Sequence, residues 1–134
     1  MNEWAMISDG LIIAGIEDLT SSMRIAGKGE LDIKRVLSGR PDFSTVFLSH
    51  SPLKTDIIAS LGTDLMISGH THNGQIWPFK YVIRRRYKFL SGRYDINGMI
   101  LIVNRGTGTW GPRMRLWARG EISLITICSS VEEK

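Results

Sequence analysis

The chain has 134 residues, with 17 Lys and Arg against 13 Asp and Glu, and a formal charge of +4. At 43% apolar and 22% charged it is composed like an ordinary globular domain, which excludes a disordered, collagenous or disulfide-stapled chain. Cys128 is the single cysteine, so no internal disulfide can form, and no apolar run approaches the ~20 residues of a membrane helix. The opening Met1-Asn2-Glu3-Trp4 lacks the basic and apolar regions of a secretory leader, so a soluble domain, cytoplasmic as it stands, is the first expectation.

In chain order, the apolar run Leu11 to Gly15 predicts a strand ending at a turn. Glu30 to Ser38 predicts a short helix, with Leu31, Ile33, Val36 and Leu37 at three- and four-residue spacing and Gly39 as its stop. Thr45 to Leu48 predicts a buried strand, Lys54 to Leu61 a second helix closed by Gly62, and Leu65 to Ile67 another buried strand. Beyond this point strands are predicted at Tyr87 to Tyr94, Met99 to Asn104 and Glu121 to Ile127, the first two joined by a turn at Asp95 to Gly98. A glycine-punctuated loop covers 104–112, and 129–134 reads as a frayed tail. Alternating strands and helices followed by hairpins predict an α/β fold, a mixed sheet with helices on one face.

Charge is unevenly distributed. Residues 73–120 carry ten basic side chains and one acidic, Asp95, whereas 1–72 and 121–134 are net acidic. A positive block of this kind fits either an anionic partner or a solvated basic hairpin.

All three histidines fall between residues 50 and 72. His50 ends one predicted strand, and His70 and His72 follow the next. The segment between them has the length of a helical crossover, which brings both strand ends to one sheet edge, the edge where open α/β sheets bind ligands. In extended chain His70 and His72 also share a face. Neutral imidazoles gathered this way point to a transition-metal site.

The stretches Leu48-Ser49-His50-Ser51-Pro52, Ser68-Gly69-His70-Thr71-His72-Asn73-Gly74-Gln75 and Asn104-Arg105-Gly106-Thr107-Gly108-Thr109-Trp110-Gly111 resemble the calcineurin-like metallophosphoesterases. The nearest resemblance is to bacterial phosphodiesterases that write the second motif as Gly-His-Thr-His-Gly-Gly-Gln. The likeness runs from about Leu11 to Ile127. It implies that His50 and His70 share one divalent ion and that His72 holds a second, with Mn, Fe and Zn not distinguished by the motif. The family's N-terminal motifs, Asp-x-His, Gly-Asp-x-x-Asp and Gly-Asn-His-Asp, do not occur. By this resemblance residues 1–134 form a single partial domain, the C-terminal half of an α/β sandwich. The parent protein is membrane-associated or exported in some relatives of this kind.

Such enzymes hydrolyse phosphomonoesters or phosphodiesters by metal-activated hydroxide, with two ions held ~3.5–4 Å apart. Among the carboxylates, Asp18, Asp56 and Asp64 read as cap or turn residues. The substrate side is assigned to Arg84, Arg85 and Arg86, whose guanidinium groups bind phosphate, with Arg105, Gln75 and Asn104 at the rim. Trp77, Phe79, Trp110 and Trp117 read as core or as an apolar wall. The expectation is a metallophosphoesterase fragment, inactive alone, that self-associates or pairs with its absent half. The alternative is a non-enzymatic anion-binding or interaction module with a vestigial metal site. No nucleic-acid-binding motif is present.

Overall fold

The structure, a computed structural model, describes residues 2–8, 10–22 and 27–128. Six strands form one sheet in the order β1-β2-β3-β4-β6-β5: β1 Glu3–Ser8, β2 Leu11–Ile16, β3 Ser44–Ser49, β4 Leu65–Ser68, β5 Gly92–Ile96 and β6 Met99–Val103. The four inner strands run parallel, and β1 and β5 close the two edges antiparallel. Helices α1 Leu19–Ser22, α2 Lys28–Leu37, α3 Thr55–Ser60 and α4 Lys80–Arg84, with a 3₁₀ turn at His72–Gly74, complete the described elements.

Strand register explains why the two sheet faces differ. Ala14, Phe47, Met66 and Leu101 stand opposite one another across four strands. They form one core with Ile33, Val36 and Leu37 of α2 and Ile58 of α3. Both crossover helices therefore cover the same face, as the alternating pattern predicts. The opposite face presents Ile13, Val46, Leu48, Leu65, Ile67, Ile100 and Ile102 by the same register. No described element packs over it as α2 and α3 cover the other, and Leu48 is 41% exposed.

The sequence expectations fail at two places. Tyr87 to Tyr94 is not one strand: β5 starts at Gly92. Tyr87, Phe89 and Leu90 instead turn inward and are buried, and the Leu90 carbonyl accepts the Thr71 hydroxyl. Burial in a loop and alternation in a strand place the same residue types. Glu121 to Ile127 is in no ladder, and Ile122 and Leu124 are 86% and 94% exposed. Alternation makes a strand only where another strand accepts its hydrogen bonds, and among the described residues none does. Arg84 is the last residue of α4, and Arg85 and Arg86 follow it in a turn. The tail expected at 129–134 lies outside the described residues.

Candidate metal centre

Because β2, β3, β4 and β6 are parallel, their carboxyl ends share one edge, and each end delivers a polar residue there. Asp18 follows β2, His50 follows β3, His70 and His72 follow β4, and Asn104 follows β6. Backbone bonds lock these ends together: Gly69 N–H donates to the His50 carbonyl at 3.0 Å and Asn104 N–H to the Ser68 carbonyl at 2.8 Å.

His50 and His70 meet directly, Nε2 to Nδ1 at 2.9 Å, with their rings edge to face. The other ring nitrogen of His70, Nε2, lies 2.8 Å from the hydroxyl of the buried Tyr87. Asp18 joins them: one carboxylate oxygen and one nitrogen from each imidazole all lie within 4.8 Å of one another. The cap reading of Asp18 also holds, since Oδ1 accepts the Thr20 N–H at 3.1 Å and the Ser51 hydroxyl at 2.7 Å, and Oδ2 accepts the Thr20 hydroxyl. Its carboxyl feels burial, which raises its pKa, but the Thr20 and Ser51 hydrogen bonds outweigh that and leave it below the ordinary aspartate value. Asp64 works at the opposite edge, accepting the Thr45 N–H, and Asp56 sits in the first turn of α3.

His72 reaches the same cavity by a different backbone from the extended one its spacing predicts. His70, His72 and Asn73 have φ of 65°, 48° and 51°, left-handed conformations that cost on the order of 1–3 kcal/mol each outside glycine. A tight turn, not a strand, aims the two histidines. His72 Nδ1 faces the Arg115 Nη2 at 2.9 Å, and Arg115 also donates to the carbonyls of Arg105, Gly106 and Ala118. Burial, then the His50 charge, lowers the His70 pKa, and burial, then the Arg115 charge, lowers that of His72. Both imidazoles are thus kept neutral, the form that ligates metal. The imidazoles of His50 and His70 with the Asp18 carboxylate at this spacing are a donor set that suits a divalent metal ion.

His50, His70, Thr71, His72, Ile83, Tyr87 and Trp110 line a cavity of about 450 Å³. The residues assigned to the substrate side are placed differently. Gln75 is 1% exposed and straps the glycine-rich loop. Its amide donates to the Trp110 and Pro112 carbonyls at 2.8 and 3.0 Å and accepts the Trp110 N–H at 2.8 Å. Asn104 binds the Ser123 hydroxyl and the Gly106 N–H, and Arg105 pairs with Glu121 at 3.2 Å. Arg84, Arg85 and Arg86 are exposed at the end of α4, outside the cavity lining, although the Arg86 charge acts on Tyr87.

Tyr87, Arg115 and the site-facing role of Asp18 escaped the sequence reading. Asp18 carried a usable signal, because it follows the first parallel strand as His50 and His70 follow the next two.

The chain is 36% identical over 121 residues to an uncharacterized metallophosphoesterase of Campylobacter jejuni, covering 86% of this chain and 31% of that protein. It is 33% identical to a bovine transmembrane protein with a metallophosphoesterase domain, covering 89% and 28%. Its homologues are named metallophosphoesterases. A UDP-2,3-diacylglucosamine pyrophosphatase of Chlamydia trachomatis is 29% identical over 92% of this chain and 39% of its own length. The chain thus spans about a third of the metallophosphoesterases it matches. No family profile and no solved structure matches it.

Proposed function

We propose that this chain supplies the histidine side of a metal-dependent phosphoesterase centre and that a longer protein completes it. The observation that carries this reading is the 2.9 Å approach of His50 and His70 beside the Asp18 carboxylate. In this reading His50 Nε2, His70 Nδ1 and Asp18 hold one divalent ion, and His72 faces a second. Divalent ions at such sites polarise phosphoryl oxygens and lower the pKa of bound water.

The chain's own groups prepare the ligands. With Nδ1 of His70 unprotonated, its Nε2–H donates to the Tyr87 hydroxyl, which fixes both tautomer and ring plane. Thr20 and Ser51 hold the Asp18 rotamer. Arg115, bound to four loop carbonyls, keeps a fixed positive charge beside His72, where an anionic phosphoester gains from it. The remaining carboxylate ligands belong to the absent half of the domain, so residues 1–134 alone are a poor catalyst of phosphomonoester or phosphodiester hydrolysis.

The test is hydrolysis of an aryl phosphodiester in Mn²⁺. Turnover by the longer protein that His70→Ala abolishes, with little turnover by residues 1–134, supports the reading. Robust turnover that survives His70→Ala refutes it.

A further inference from the structure

Large aromatic side chains ordinarily bury most of their surface. Between residues 77 and 117 they do not. Trp77, Phe79, Tyr81, Trp110 and Trp117 are 44%, 39%, 54%, 46% and 75% exposed. Four of these rings meet in two pairs carried by neighbouring segments. Trp77 packs on Trp117 at 5.1 Å and Phe79 on Trp110 at 5.8 Å, and the Trp77 N–H donates to the Leu116 carbonyl at 3.1 Å, pinning the two segments side by side. The exposed Tyr81 follows Phe79 by two residues in α4, whose last residue Arg84 is followed by the exposed Arg85 and Arg86.

Charge singles out the partner. Residues 73–120 hold ten basic side chains and one acidic, Asp95, which sits in β5. Among the described residues Arg84, Arg85, Arg86, Arg113 and Arg119 form no ion pair. Whatever covers this face must supply anionic groups to these guanidiniums. The open sheet face, by contrast, is aliphatic and uncharged across its four parallel strands, through Ile13, Leu48, Ile67 and Ile102, as a core surface awaiting protein is. Exposed tryptophan and tyrosine flanked by arginine is the composition of a face seated at the headgroup level of a bilayer.

We infer that these exposed aromatic and basic residues dock the chain on an anionic lipid surface. The rings enter the headgroup layer and the arginines pair with lipid phosphates. Docking needs neither metal nor catalysis. Trp110 also lines the histidine cavity, so docking brings that cavity to headgroup depth. Only this consequence rests on the phosphoesterase reading.

The metal-free chain is mixed with vesicles of phosphatidylcholine alone or with phosphatidylglycerol, and co-sedimentation and tryptophan emission are followed. Anionic vesicles bind it with a blue shift, and binding weakens roughly tenfold or more without phosphatidylglycerol or in molar salt. A similar loss is expected for Trp77→Ser with Trp117→Ser, and separately for Arg84→Gln with Arg85→Gln. The arginine variant changes only exposed side chains, so it keeps the thermal melt of the parent. Equal binding to both vesicle types, or tryptophan variants that melt and bind like the parent, overturns the inference.

Discussion

His50 Nε2 and His70 Nδ1 stand 2.9 Å apart, a separation at which two imidazoles share a single proton or a single cation. Tetrahedral ligands at ~2.0–2.1 Å from an ion lie about 3.3 Å from each other, so a cation fits with a small opening of the pair. The strands force the contact: β3 and β4 are parallel neighbours, and the Gly69 N–H bonded to the His50 carbonyl extends their pairing to the histidines.

Tyr87 orients His70 from the far side of the ring. Tyr87→Phe removes that hydroxyl and is expected to weaken metal binding about 10–100-fold, measured by calorimetric titration, while lowering stability by only about 1 kcal/mol. An unchanged affinity shows that the ring is held by other contacts.

Much of this centre was legible in the sequence because it depends on strand ends. The runs at Thr45 to Leu48 and Leu65 to Ile67 end just before His50 and His70, and crossover length fixes parallel order. Tyr87 and Arg115 were hidden because they arrive from loops 17 and 43 residues from the histidines they contact, where no periodicity operates. Glu121 to Ile127 misled for the opposite reason. Its alternation is real, but pairing is a property of a neighbour that the described residues do not provide. Likewise β1 pairs with β2 although the opening residues carried no predicted element.

Gly74 is a steric requirement of the histidine turn. It has φ of 79°, and an added Cβ would lie 2.4 Å from the Lys80 Cα. Gly74→Ala should cost roughly 1–3 kcal/mol or more. Gly108→Ala meets nothing within 4 Å and should stay within about 0.5 kcal/mol of the parent. Equal melting temperatures for the two variants contradict this account of the turn.

Acid should destabilise the metal-free chain through His70 and His72. Their folded pKa values lie below the ordinary 6.5, so between the unfolded and folded values the unfolded chain binds more protons, and stability rises with pH. The contribution is complete above the unfolded value and is lost as pH falls through it to the folded values. Urea midpoints should drop on going from neutral pH to just below the unfolded value, and His70→Ala should flatten the slope. A midpoint independent of pH across that range refutes the assignment.

The open sheet face predicts association. Contiguous apolar surface of this kind drives self-assembly, so the isolated chain is expected to sediment as a concentration-dependent oligomer and to bind ANS. Leu48→Lys, at the 41% exposed position, should shift it toward monomer. A stable monomer without ANS signal means that residues 1–134 close their own core.

The most direct test of the metal centre is titration of the metal-free chain with Mn²⁺, followed by heat or by electron paramagnetic resonance. The account predicts saturable binding of a single ion, weakened at least about tenfold by His70→Ala and by Asp18→Asn, with Arg84→Gln as an unaffected control. Binding that is unsaturable, or that both site variants leave unchanged, would contradict it.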